Sequence, residues 1–144
     1  MKSCTFFGHK DAPYSIRDRL FDVLEKLIVN DGYGIFYVGN NGNFDRIVTV
    51  ILDELKKKYP YIQLVAVLAY LSDAKKIDVC ETLYPEGIEK APKRFAIDRR
   101  NRWMINHADV VVAYVERRYG GAYKFVNVAK SKKIPIINLT EFEI

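Results

Sequence analysis

The chain has 144 residues, is almost half apolar and carries a formal net charge of +5. That length suits one core and a single domain spanning residues 1–144, and no apolar run approaches the length of a membrane span. The excess of Lys and Arg favours anionic partners without choosing among them.

Met1-Lys2-Ser3-Cys4 leads straight into a strand-like segment with no signal-peptide pattern, so a cytoplasmic location with no membrane partner is expected. Cys4 and Cys80 lack metal-type spacing and are expected to be reduced. Neither a metal nor a cofactor is expected.

Ser3 to Phe7 is predicted as the first strand, ended by Gly8-His9. Ser15-Ile-Arg-Asp18 has the form of a capping box, and Ile16, Leu20, Val23, Leu24, Leu27 and Ile28 recur on one helical face after it. Ile35 to Val38 forms the second strand. Gly39-Asn40-Asn41-Gly42-Asn43 then turns the chain into a helix with Phe44, Ile47, Val48, Ile51 and Leu55 on its apolar side. Asp45 lies in that helix's first turn, where it either receives a ribose hydroxyl or complements the helix dipole.

Gln63 to Ala69 is the third strand. Tyr70 to Pro92 has no clear period; a short helix is expected around Asp78 to Leu83. Such a long connection is read as a lid over the ligand crevice, an oligomer contact or a plain surface excursion. Tyr84 within it is a candidate for stacking on a base.

In the next helix, Ile97, Asn101, Met104, Ile105 and Ala108 share one face. Arg100 falls at the edge of that stripe beside Trp103, where a side chain can emerge to meet a ligand, so its loss is expected to weaken binding and spare the fold. Val110 to Val115 is apolar throughout, as a strand covered on both faces must be. Glu116 follows it, and Gly120-Gly121 opens a helix whose start presents free N–H groups to an anion. Ala122, Tyr123 and Lys124 complete that junction. Ile134 to Leu139 is the last strand.

Several of these residues carry a family resemblance. Arg100 stands eight residues before Ala108 of an Ala108-Asp109 pair, an apolar strand follows, and Gly120-Gly121 comes next. This pattern resembles the SLOG superfamily, which includes LOG-type phosphoribohydrolases, DprA-like proteins and small phage and bacterial members. The opening Thr-Phe-Phe-Gly-His and closing Ile-Pro-Ile-Ile-Asn-Leu are similar to the small members.

With right-handed crossovers, the resemblance implies a Rossmann-like three-layer α/β sandwich with a parallel five-stranded sheet of order 3-2-1-4-5. The crevice is then expected to gather Gly8, His9, Gly39, Asn40, Asn41, Gly42, Asp45, Tyr84, Arg100, Glu116, Gly120, Gly121, Ala122, Tyr123 and Lys124. Where the enzymes of the family place a catalytic Glu, this chain has Asn127.

The function expected first is binding of a nucleotide-derived ligand, an ADP-ribose-type or cyclic nucleotide signal, by a sensor or sequestering protein such as a phage anti-defence factor. The protein is expected to act alone or as a homo-oligomer, without catalysis. One alternative is a phosphoribohydrolase-like N-glycoside hydrolase in which Glu116 replaces the missing carboxylate. Another is a DprA-like single-stranded nucleic-acid binder, although nucleic acid is not the partner expected here.

Overall fold

The computed structural model describes residues 1–144. Six strands form one parallel sheet: β1 (Lys2–Gly8), β2 (Tyr33–Val38), β3 (Gln63–Val67), β4 (Glu81–Leu83), β5 (Val110–Tyr114) and β6 (Ile136–Asn138). Their spatial order is β4-β3-β2-β1-β5-β6. The chain adds strands outward from β1 to one edge, returns to the centre, and then builds the other side.

The count and order correct the expected five-stranded sheet. Strand β4 was not anticipated, and it occupies the place where a short helix had been expected. Its register is set by Val65 to Val67 against Glu81 to Leu83. The physical reason for the miss is that Glu81 and Thr82 are exposed and only Leu83 is half-buried, so three residues give no hydrophobic period to read.

Helices cover both faces. Helices α1 (Arg17–Val29) and α2 (Gly42–Lys58) pack on one side, with Leu20, Leu24, Ile47 and Ile51 against Cys4, Phe6, Phe36 and Val112. On the other side, α3 (Ala96–Asn106) and α4 (Gly121–Ser131) set Met104, Ile105, Phe125 and Ala129 against Phe7, Val111, Ala113 and Val115. Alternate residues of β5 thus serve opposite layers, which explains its unbroken apolar run. Residues of this kind each contribute roughly 1.5 to 3 kcal/mol on burial.

A second correction concerns α1. A 3-10 turn, Tyr14–Ile16, precedes it, and Ile16 rather than Ser15 stands at its cap without a side-chain hydrogen bond. The capping box does not form.

The lower end of the sheet, away from the strands' carboxyl ends, is closed by hydrogen bonds. The Ser3 amide donates to Asp109 Oδ2 at 2.9 Å, while the Asp109 amide donates to the Ser3 carbonyl at 2.8 Å. This exchange fixes the register of β1 against β5. At the upper end, Asn138 receives the Val115 amide at 3.0 Å and donates to the Val115 carbonyl at 2.9 Å, so a side chain extends the β5–β6 pairing beyond the strand. No helix is long and apolar enough to cross a membrane.

Candidate functional site: a crevice with a buried arginine

The order of the sheet reverses between β1 and β5, and the loops at their carboxyl ends part there to leave a crevice, as open α/β sheets do. Gly8 closes β1 under α2, where a Cβ would lie 2.2 Å from Cγ of Phe44; only a bare backbone fits. Gly120 has φ 92°, in the region that suits glycine, and α4 starts one residue later. No side chain caps α4 and its first turn holds no acidic residue. Its leading N–H groups therefore have no intrahelical acceptor, and they sit beside open space: nothing lies within 4 Å of a Cβ built on Gly120 or Gly121.

Between these loops lies a cavity of about 430 Å³ lined by Gly8, His9, Lys10, Asn41, Asp45, Arg100, Asn101, Arg117 and the Gly120–Ala122 turn, with apolar side chains beneath. Arg100 is its most unusual component. The side chain is 2 % exposed, which places it among the largest fully buried side chains of the protein. The stripe-edge position inferred from periodicity is thus corrected: Arg100 lies inside the packing and still reaches the cavity wall.

Its guanidinium ties α3 to the end of β3 and to the turn between β2 and α2. Nε donates to Asn101 Oδ1 at 2.7 Å, and Nη1 donates to the Val67 carbonyl at 3.1 Å and to Asn40 Oδ1 at 3.3 Å. With the Asn41 amide oxygen turned inward, Nη2 donates to it at 2.9 Å. All four acceptors are neutral. Burial lowers the Arg100 pKa from its ordinary value, but a guanidinium stays charged near neutral pH. The charge of nearby Asp45, and more weakly of Asp73, offsets part of the cost of burying this cation without bonding it, and one Nη2 hydrogen remains for an anion.

Asp45 is the carboxylate of the cavity wall. Its Oδ2 accepts the Asn41 amide at 2.9 Å, so the residue shapes the turn into α2. Desolvation raises its pKa to about 6 against the opposing effects of that bond and of Arg100. The folded protein therefore holds a proton that the unfolded chain releases between about pH 4 and 6, and Asp45 lowers stability as pH rises through that window. His9, whose pKa burial lowers from its ordinary 6.5, acts in the opposite sense, contributing stability that grows as pH rises toward that value. Comparison with Asp45→Asn separates the two. The variant, which keeps an acceptor for Asn41, should gain stability over the parent at pH 7 to 8 and lose that advantage near pH 4, as read by urea midpoints. An equal difference at both pH values would show that Asp45 does not titrate in this range.

His9 is buried and ties the two central loops together: its Nε2 accepts the Glu116 amide at 3.0 Å while its own amide donates to the Tyr114 carbonyl at 3.2 Å. With Nε2 accepting, the proton of the neutral ring sits on Nδ1. Across the mouth, Arg117 pairs with Asp11 through both terminal nitrogens, at 2.9 and 3.2 Å. Its guanidinium also lies 5.3 Å from the ring centre of Tyr119, which is 68 % exposed.

Of the residues expected at the crevice, Gly8, His9, Asn41, Asp45, Arg100, Gly120, Gly121 and Ala122 line this cavity. Gly39, Asn40 and Gly42 line a second cavity on the other side of the β2–α2 turn, which Asp45 also borders. The remaining four lie elsewhere. Tyr84 borders a separate depression with Tyr70 and Ile88, and so does not cover the crevice. The Glu116 side chain is exposed and accepts the Tyr114 hydroxyl at 3.2 Å. Lys124 pairs with Asp98 at 2.9 Å, and Tyr123 packs against the core on the α3–α4 side of the sheet. Asn127 donates to the Tyr123 carbonyl at 2.9 Å within its own helix and is absent from the cavity wall.

Lys10 and Phe6 also line the cavity. Neither was among the residues expected at the crevice. The position of Lys10 directly after Gly8-His9 was the available signal.

The molecule is thus an α/β protein of Rossmann-like architecture with a positively lined crevice of about 430 Å³ at the sheet's reversal point. Solved structures sharing this fold are DNA processing protein A (DprA) from two bacteria. The protein from Streptococcus pneumoniae matches with a TM-score of 0.69 at 12 % identity, over 96 % of this chain and 50 % of its own. The Helicobacter pylori protein matches with a TM-score of 0.64 at 14 % identity, over 95 % of this chain and 64 % of its own.

The chain therefore spans about half to two thirds of these neighbours. Their fold is in keeping with the SLOG resemblance. No protein-family model matches the chain, and no curated protein matches it either. The Helicobacter pylori structure is described for its single-stranded DNA binding mode. That description overturns the expectation against nucleic acid as a partner class.

Proposed function

We propose that residues 1–144 act as one SLOG-like domain that binds single-stranded nucleic acid by holding a backbone phosphate in the crevice. The observation that carries this reading is the buried Arg100, bonded only to neutral oxygens, lining the same cavity as the uncapped start of α4. A phosphate answers both a guanidinium whose hydrogen bonds all go to neutral oxygens and the free N–H groups. Lys10 and Arg117 extend the positive surface toward solvent, and exposed Tyr119 offers a face on which a base can stack. The DprA neighbours support the choice of a strand as the bearer of that phosphate.

The test is fluorescence anisotropy with a labelled single-stranded oligonucleotide of mixed sequence, titrated at several salt concentrations. Saturable binding should weaken with salt at a log–log slope of about −1.5 to −3, as expected when two to four phosphates are neutralised. Absence of binding at low salt would refute the proposal.

Capture of a free nucleotide-derived molecule is a second reading. It is supported by the cavity volume of about 430 Å³, within the usual range for small-molecule sites. Competition in the same assay by nucleoside monophosphates, ADP-ribose or cyclic nucleotides, at lower concentration than unlabelled strand, would favour it.

A further inference from the structure

The second cavity, of about 290 Å³, lies between α2 and the loop leading into β4. Part of its wall is apolar: Val50, Ala66, Ile77 and Val79 line it, and Val50 and Val79 are 47 % and 51 % exposed, two large aliphatic residues left to solvent at one hollow. Its charges are arranged unlike those of the crevice. Asp45 and Asp78 contribute carboxylates, while Arg46 and Lys76 contribute cations. The bonded partner of Arg46 is neutral, Asn43 Oδ1 at 3.2 Å, and Lys76 is paired at 3.4 Å with Asp73. Asp45 also lines the crevice, so the two cavities adjoin across a single carboxylate.

Resting on the nucleic-acid reading, we infer that this second cavity receives the base attached to the phosphate held in the crevice, and that it favours bases bearing an exocyclic amino group. The sorting follows from charge. In this hollow two carboxylates face two cations, whereas the crevice sets Lys10, Arg100 and Arg117 against Asp45 alone, so a phosphate is drawn to the crevice and the α4 start. A base is uncharged and flat, suits aliphatic walls, and offers amino hydrogens that a carboxylate accepts. Asp45 uses Oδ2 for the Asn41 amide and has Oδ1 without a hydrogen bond, which leaves an acceptor at the border. Arg46 and Lys76 meet the backbone charge on either side of that base.

The experiment compares strands of equal length by anisotropy: oligo-dC, oligo-dA, oligo-dT and an abasic deoxyribose-phosphate strand. The protein should bind oligo-dC or oligo-dA at least tenfold more tightly than the abasic strand, with oligo-dT, whose base has no amino group, in between. Val50→Trp and Val79→Trp change exposed positions and fill the cavity. Each should erase the gain from bases and leave abasic binding within twofold. Equal affinity for abasic and base-bearing strands, or a preference that survives both tryptophans, overturns the base pocket while the phosphate crevice stands. Failure of every strand to bind overturns both readings together.

Discussion

Arg100→Ala should unfold at a markedly lower urea concentration than the parent, with a loss of about 3 to 5 kcal/mol. The substitution strips hydrogen bonds from the Val67 carbonyl and from Asn40, Asn41 and Asn101, and it opens a void where a fully buried side chain stood. Each buried polar group left without a partner costs about 1 to 3 kcal/mol, and the cavity adds to that. Arg100→Lys keeps the charge but lacks the planar fork that reaches Asn101, the end of β3 and the β2–α2 turn at once, so it should recover only part of the loss. A wild-type urea midpoint for Arg100→Ala would show that these segments hold together without it. Binding by this variant must therefore be measured well below its unfolding midpoint.

Gly121→Asp should separate binding from stability in the opposite way. The position is exposed, has open space around a Cβ, and lies in the first turn of a helix with no acidic residue there. A carboxylate at this point interacts favourably with the helix dipole by about 0.3 to 1 kcal/mol, so the melting temperature should hold or rise. The same carboxylate occupies the place proposed for a phosphate. Affinity for single-stranded DNA should fall at least a hundredfold, about 2.7 kcal/mol. Retained affinity would exclude the α4 start as the anion site, whereas a drop in melting temperature would show that the turn tolerates no side chain.

The elements legible in the sequence were those with a period or an unbroken apolar run. Strand β5 was visible because both its faces are buried, and α2 because Phe44, Ile47, Val48, Ile51 and Leu55 repeat at helical spacing. Strand β4 was invisible because it is held by backbone hydrogen bonds at an edge, with little side-chain burial. The two glycine junctions were read at the correct end of the sheet, since strand, glycine and helix start follow each other in the chain.

What sequence could not show was depth. Periodicity put Arg100 beside the buried stripe, yet only the arrival of Asn40 from the β2–α2 turn and of Val67 from the end of β3 supplies the acceptors that let a guanidinium go inside. For the same reason Gly39, Asn40 and Gly42, adjacent in sequence to Asn41, face a different hollow from it. Tyr84 was placed at the crevice on its chemistry alone, whereas the path of its loop follows β4.

Asp109, half of the Ala-Asp pair on which the family resemblance partly rests, exchanges hydrogen bonds with Ser3 at the end of the sheet opposite the crevice. A residue bonded there sets the alignment of β1 with β5 and touches no part of the crevice, so it serves whatever ligand the opposite end of the sheet holds. Asp109→Ala should accordingly change how readily the chain folds before it changes what the folded protein binds.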